Sequence, residues 1–269
     1  MSHMPMGGLL GAALAGTVAL APVAAEGAAM VAGFDAGSLG RTDDGSSGPV
    51  AIGFAFNFFG TSHTQLYVNN NGNVTFDGPL SSFTPFGIAA GAGPIIAPFF
   101  ADVDTRHRDS GVVTYGRGTY DGQAAFGVNW RNVGYYSSAA NRLNSFQLLL
   151  VDRSDLGAGN ADVYFNYGSI AWESGSASGG SNGRGGLSAR AGWSNGDDRH
   201  TEFVGSGISG AFLDGGPHAL RSGSNIGKAG RFLFQVRSGA VVEVPQPAAL
   251  ALFGAGLLGL ASMRRGRRN

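Results

Sequence analysis

Two carboxylates stand out by their spacing. Asp102 and Asp104 follow the apolar run at 96–101, two residues apart. In a strand, alternate side chains project to one face, so the pair would share a face at a separation of ~7 Å set by strand rise. Like charges at that distance repel unless a cation lies between them. A hard cation such as calcium takes 6–8 oxygen ligands, and Asn69, Asn71 and Asp77 could add oxygens if their hairpin folds nearby. Asp102 and Asp104 are therefore the candidate metal ligands, with calcium the one candidate cofactor. Two other readings stand beside this. Arg106 or Arg108 could neutralise the pair, or the aspartates could cap backbone groups in a turn. Paired acids also hydrolyse glycosides at carboxyl separations of ~5 or ~6.5–9.5 Å, but nothing in the sequence marks a sugar cleft. No catalytic residue is assigned, and the chain reads as a non-enzyme.

Other motifs carry less. Gly179-Gly180-Ser181-Asn182-Gly183 spells a nucleophile elbow, which needs a strand before it and a helix after it. Here it lies in a glycine-rich stretch. Gly254-Ala255-Gly256-Leu257-Leu258-Gly259 has the glycine spacing of a dinucleotide turn, but no βαβ unit can follow it before the chain ends. Cysteine is absent and the five histidines show no ligand spacing, which removes disulfide, zinc-knuckle, iron–sulfur and thiol chemistry. Tyr135, Tyr136, Trp172 and Trp193 could stack on sugar faces; rings in β proteins are more often core or sheet surface.

The elements that must position these groups read as strands. Glycine reaches 47 of 269 residues without a collagen period, which suits tight turns and disfavours long helices. Apolar residues alternate at Phe126, Val128 and Trp130, at Phe146, Leu148 and Leu150, at Val163, Phe165 and Tyr167, and at Phe232, Phe234 and Val236. Period two predicts one buried and one wetter face. Between two such runs, Asn69-Asn70-Asn71-Gly72-Asn73 predicts a hairpin. Residues 79–94 read as a long excursion and 174–186 as a flexible Gly/Ser loop. The fold class is all-β, an antiparallel sandwich-like single domain.

The two ends read as addresses. Residues 9–23 are apolar, and small residues lead to a signal-peptidase site between Ala25 and Glu26, although the first eight residues carry no Lys or Arg. The other end runs Val244-Pro245-Gln246-Pro247, an apolar segment over 248–263, and an arginine cluster over 264–268. That segment is short for a membrane span, and its arginines would stay cytoplasmic. Without the cluster the body is mildly acidic, which offers nucleic acid no electrostatic footprint. The organisation is a signal helix at 1–25, a lead-in at 26–44, a β domain at 45–239 and a tail with a membrane helix at 240–269.

This tail resembles the PEP-CTERM sorting signal, departing from it at Gln246 where the family has Glu. The body resembles the nidogen-like (NIDO) domain in three stretches. They are Tyr67 to Phe76, Ile96-Ala97-Pro98-Phe99-Phe100-Ala101-Asp102-Val103-Asp104-Thr105-Arg106 with Gly111-Val112-Val113-Thr114-Tyr115, and Phe165 to Glu173 with Ala191-Gly192-Trp193-Ser194-Asn195-Gly196. The resemblance implies an exosortase-type sorting enzyme as partner, a transient stay in the inner membrane, and the cell surface, outer membrane or matrix of a Gram-negative bacterium as destination. It implies structural or adhesive work in a matrix or biofilm, with exopolysaccharide or a matrix protein as ligand. The alternatives are a surface glycan hydrolase and a calcium-dependent polysaccharide-binding module.

Overall fold

A computed structural model describes Met1, residues 29–91 and residues 93–242. The signal segment with Ala25 and Glu26, the sorting motif Val244, Pro245, Gln246 and Pro247, the membrane helix at 248–263 and the arginine cluster lie outside the described residues. Among the described residues, no helix is long and apolar enough to cross a membrane.

Two antiparallel sheets make the fold. One holds β1 (Gly37–Ser38), β6 (Val113–Tyr120), β7 (Gln123–Tyr135), β8 (Ala139–Asp152), β9 (Ala161–Ser169), β12 (Arg231–Arg237) and β13 (Ala240–Val242), paired in that order. The other runs β11 (His200–Glu202), β10 (Arg190–Ser194), β5 (Ile95–Phe100), β4 (Asn73–Thr75), β3 (Thr61–Asn69) and β2 (Val50–Phe58). The alternating apolar residues of the long strands face the second sheet, as period two requires. Phe99 of β5 meets Phe146 of β8 at 5.2 Å and Trp172 edge-on at 5.7 Å, while Trp130 stacks on Phe146 at 5.0 Å. Phe99 faces this core because β5 bulges at Pro98: the register with β10 shifts between Gly192↔Ala97 and Arg190↔Phe100. A bulge is where a proline fits inside a sheet, and the buried Pro98 carbonyl is taken by the Tyr167 hydroxyl at 2.7 Å.

The expected wetter face is also buried across β7, β8 and β9. The reason is the lead-in. Thr114, Asn129, Gln147, Asn166 and Arg231 stand in register across five adjacent strands. Thr114 donates to Asp35, Asn129 Nδ2 to the Gly33 carbonyl, Gln147 Nε2 to the Val31 carbonyl, and Arg231 Nη2 to the Ala29 carbonyl. A row of polar side chains thus holds every second residue of 29–35, and Phe34 packs with Ala125, Leu149 and Val151 over the sheet. Residues 29–44 are therefore a layer of the domain rather than a tether ahead of it.

The asparagine hairpin also differs from a surface turn. Asn69, Asn70, Asn71 and Asn73 are all buried. The pairing Asn69↔Asn73 leaves a three-residue loop closed by Gly72 at φ +77°, the left-handed position such loops need. A Cβ there would stand 1.7 Å from the Phe99 carbonyl oxygen. Gly72→Ala is expected to lose ~3 kcal/mol or more, because the clash adds to the left-handed strain. Chemical denaturation checks it; a loss under ~1 kcal/mol would mean that the turn is free to move.

Candidate functional site

The buried turn draws three chain segments together. Asn70 Nδ2 donates to the Val103 carbonyl at 2.6 Å and to the Asp43 carbonyl, and the Trp130 indole donates to the Asn70 carbonyl at 2.9 Å. Asn71 accepts from the Val103 amide at 3.0 Å and donates to Asp44 Oδ1 at 2.8 Å. Ser46 bridges to Asn69, while the Thr42 and Thr105 backbones are joined at 2.9 Å. The lead-in and the chain leaving β5 are thereby pinned on either side of one turn. The carboxylates of Asp43, Asp44, Asp102 and Asp104 gather there.

Asp102 and Asp104 do not share a strand face. β5 ends at Phe100, and beyond it only Val103 pairs, through an isolated bridge to Tyr135. The two side chains go to different partners. Asp104, fully buried, accepts from the Arg106 amide and Nε at 2.9 Å, from Arg106 Nη2 at 2.6 Å and from the Ser138 amide at 2.7 Å. Burial works to raise its pKa, but the Arg106 and Ser138 hydrogen bonds outweigh this and hold the carboxyl below the ordinary range. Arg106 also reaches Asp43 Oδ2 at 3.0 Å. Of the alternatives open in the sequence, neutralisation by Arg106 describes Asp104.

Asp102 is left over. It is 1% exposed, and neither carboxylate oxygen has a hydrogen-bond partner. One oxygen each from Asp43, Asp44 and Asp102 lie within 4.8 Å of one another. Burial first, then the charges of Asp43, Asp44 and Asp104, push the Asp102 pKa up to about 7; the Ser178 hydroxyl opposes this but makes no formal hydrogen bond. Asp43 rises to about 6 from burial and the neighbouring Asp104 and Asp44, with Arg106 opposing. The cluster thus contains one residue of the expected pair, together with two that the spacing did not single out. Asp43 and Asp44 sit in a polar stretch whose composition is that of any solvated turn. Asp77 is not among the clustered carboxylates.

The remaining candidates resolve into structure. Tyr135 and Trp172 are core rings, the Trp172 indole donating to the Val133 carbonyl at 3.0 Å. Trp193 is half-buried against Phe59, and Tyr136 lies beneath Arg106. The stretch 174–186 is packed in part: Ser174 and Ser178 are buried, and Ser174 Oγ donates to the Gly185 carbonyl at 2.7 Å. A 3-10 turn (Ser176–Ser178) precedes Ser181 and, among the described residues, no helix follows it, so the elbow spelling has no elbow. A groove of about 590 Å³ beside β11 and β12 is lined by Phe203, Val204, His218, Phe232 and Phe234. The acid on its wall, Glu202, is paired with Arg190 at 2.7 Å.

The sequence that builds this fold corresponds to a known family. Residues 64–238 match the model of the nidogen-like domain. The chain belongs to the nidogen-like domain family. Residues 243–268 match the PEP-CTERM protein-sorting motif, which implies processing by an exosortase-type enzyme and an exported, extracellular or cell-surface protein. The chain is 33% identical over 181 residues to alpha-tectorin of Mus musculus, covering 58% of this chain and 8% of the relative. It is 28% identical over 234 residues to nidogen of Drosophila melanogaster, covering 76% of this chain and 16% of the relative. The chain thus spans a small part of the curated relatives it matches. No solved structure matches it significantly. In this nidogen-like domain the match contains the asparagine turn, Asp102 and Asp104, while Asp43 and Asp44 precede it.

Opposite environments predict opposite substitutions. Asp102 has a raised pKa, so its contribution favours folding below about pH 4 and is lost as pH rises toward about 7. In chelator, Asp102→Asn is expected to stabilise by ~1–3 kcal/mol at pH 7.5, with the gain vanishing by pH 4. Asp104 has a lowered pKa, so its contribution is present at neutral pH and is lost as pH falls through the folded-state value. Asp104→Asn is expected to destabilise by ~1–3 kcal/mol at pH 7.5, less in acid. Urea titrations at several pH values check both; effects of the same sign would contradict the assignment.

Proposed function

We propose that this nidogen-like domain does structural or adhesive work at the surface or in the extracellular matrix of a Gram-negative bacterium, in a biofilm setting, with exopolysaccharide or a matrix protein as its ligand. The observation that carries the reading is the order of parts. The domain match ends at residue 238 and the sorting motif begins at 243, with β13 (Ala240–Val242) filling the interval. The domain is thus what the sorting enzyme would deliver, with the inner membrane a transient station and processing near Pro247.

The geometry favours a binding or structural role over glycan hydrolysis. A hydrolase needs two reachable carboxyls flanking a sugar bond. Asp104 is buried in an ion pair and Asp102 is 1% exposed, so neither can meet a polymer. Glu173, also buried, is held by the Gly210 and Phe212 amides. Edge-to-edge assembly into fibres is disfavoured as well. The sheet edges are strands of two residues (β1) and three residues (β11, β13), or β2, whose pairing is broken between Ala51 and Phe56. Short and bulged edges resist pairing with other chains.

Export and processing can be read by intact mass in fractionated cells. The expected mature species begins near Glu26, ends near Pro247 and lies outside the inner membrane. A chain truncated after residue 242 is expected to be exported but lost from the surface fraction. A full-length species in the cytoplasm would remove the basis of the reading.

A further inference from the structure

We propose that Asp43, Asp44 and Asp102 form a calcium site that locks the lead-in and the chain leaving β5 onto the buried asparagine turn. This goes beyond the surface role above and does not depend on it. The first ground is geometry. One oxygen from each carboxylate lies within 4.8 Å of the others. Calcium holds its ligands at 2.3–2.6 Å, so two oxygens on one ion are at most ~5.2 Å apart, and the three fit a single coordination sphere.

The second ground is an acid without a partner. Both oxygens of Asp102 are buried and make no hydrogen bond, and Asp43 Oδ1 is in the same condition. Of the other oxygens, those of Asp104 are taken by Arg106 and Ser138, Asp43 Oδ2 by Arg106, and Asp44 Oδ1 by Asn71. Burying an ionised carboxylate is costly unless it is paired or binds a metal. Among the described residues, the cation bonded to the cluster, Arg106, is turned toward Asp104 and Asp43, so the negative charge at Asp102 is left for a ligand.

The chemistry of the donors selects the ion. All three are carboxylates, with no His or Cys among them, which suits a hard cation rather than zinc or copper. Magnesium binds at 2.0–2.1 Å, spans at most ~4.2 Å between opposite ligands and gives up its water reluctantly. Calcium accepts any spacing up to the 4.8 Å limit and completes its shell with water or carbonyl oxygen. Three protein carboxylates of modest rigidity point to the weak range, ~10⁻⁴–10⁻³ M, in which extracellular modules bind calcium.

The test uses the purified full chain, stripped with chelator and titrated with calcium chloride to 5 mM. Thermal unfolding and isothermal calorimetry are followed together. The expected result is one ion per chain and a rise in Tm of about 3 °C or more, with magnesium chloride giving a markedly smaller rise. Asp102→Asn, which keeps the shape of the side chain, and Asp44→Asn, at a half-buried position, are each expected to weaken calcium binding at least tenfold while staying folded by circular dichroism. If one variant fails to fold, the other decides. No heat and no Tm shift up to 5 mM calcium in the folded chain would overturn the site. An unchanged calcium response in the folded variants would place the ion elsewhere and overturn it too. Equal responses to magnesium and calcium would overturn the choice of ion.

Discussion

The structure depends on placing a polar turn inside an apolar sandwich. Asn69, Asn70, Asn71 and Asn73 are at most 1% exposed, at a hairpin tip where solvent would ordinarily satisfy the amides. Each buried donor or acceptor left unpaired costs ~1–3 kcal/mol, so protein groups must come to the turn. They come from far along the chain. Thr42 and Asp43 supply carbonyls from 28 and 27 residues away, and Val103 supplies both its amide and its carbonyl from 32 and 33 residues away. Closing these loops costs conformational entropy that grows slowly with length, whereas the unpaired amides would cost several times one bond. The lead-in is held at the turn for that reason, and the polar row on the outer face fixes its other half.

That constraint also explains why two aspartates two residues apart have different fates. Val103, between them, is used by the turn on both of its backbone groups, so the chain there cannot follow the pleat of β5. Asp104 is directed toward Arg106 and the Ser138 amide, and its charge becomes structural. Asp102 points instead toward the acids of the lead-in, where no cation among the described residues pairs with it. A raised pKa at Asp102 and a lowered one at Asp104 are the electrostatic record of that division.

Much of the sandwich was legible in the sequence because its signal is local. Alternation at Phe126–Val128–Trp130 and at Phe146–Leu148–Leu150 requires only that one face of a strand be apolar, and those rings do form the core. What stayed illegible is the partner of each polar residue. Asn129, Gln147 and Asn166 fall on the alternate positions, which composition assigns to water; in the fold they hydrogen-bond one another and hold residues 31–35. The same blindness hid Asp43 and Asp44 and made 174–186 look like a free loop. A glycine- and serine-rich stretch has one composition whether solvent or Trp172 lies against it, and Gly183 sits so close to Trp172 that a Cβ would be 2.7 Å away.

The two ends of the described domain meet at one strand. The lead-in enters at Ala29, whose carbonyl is held by Arg231 at the start of β12; it crosses the outer face to β6 and only then joins the sheet as β1. The chain leaves along β13, which pairs with Gln235, Val236 and Arg237 at the end of β12. Four to six residues of strand separate entry from exit, a span of ~13–20 Å. Entry and exit of the described domain thus lie on neighbouring strands at one side of the seven-stranded sheet. β13 is a three-residue strand at the edge of that sheet. β12 behind it is secured twice, by its pairing with β9 and by the Arg231 contact to the lead-in. Peeling β13 would leave the seven-stranded sheet one three-residue strand shorter and the buried turn, on the other sheet, untouched. The polar row that buries the outer face thus also ties the start of the described lead-in to β12, the strand next to the exit.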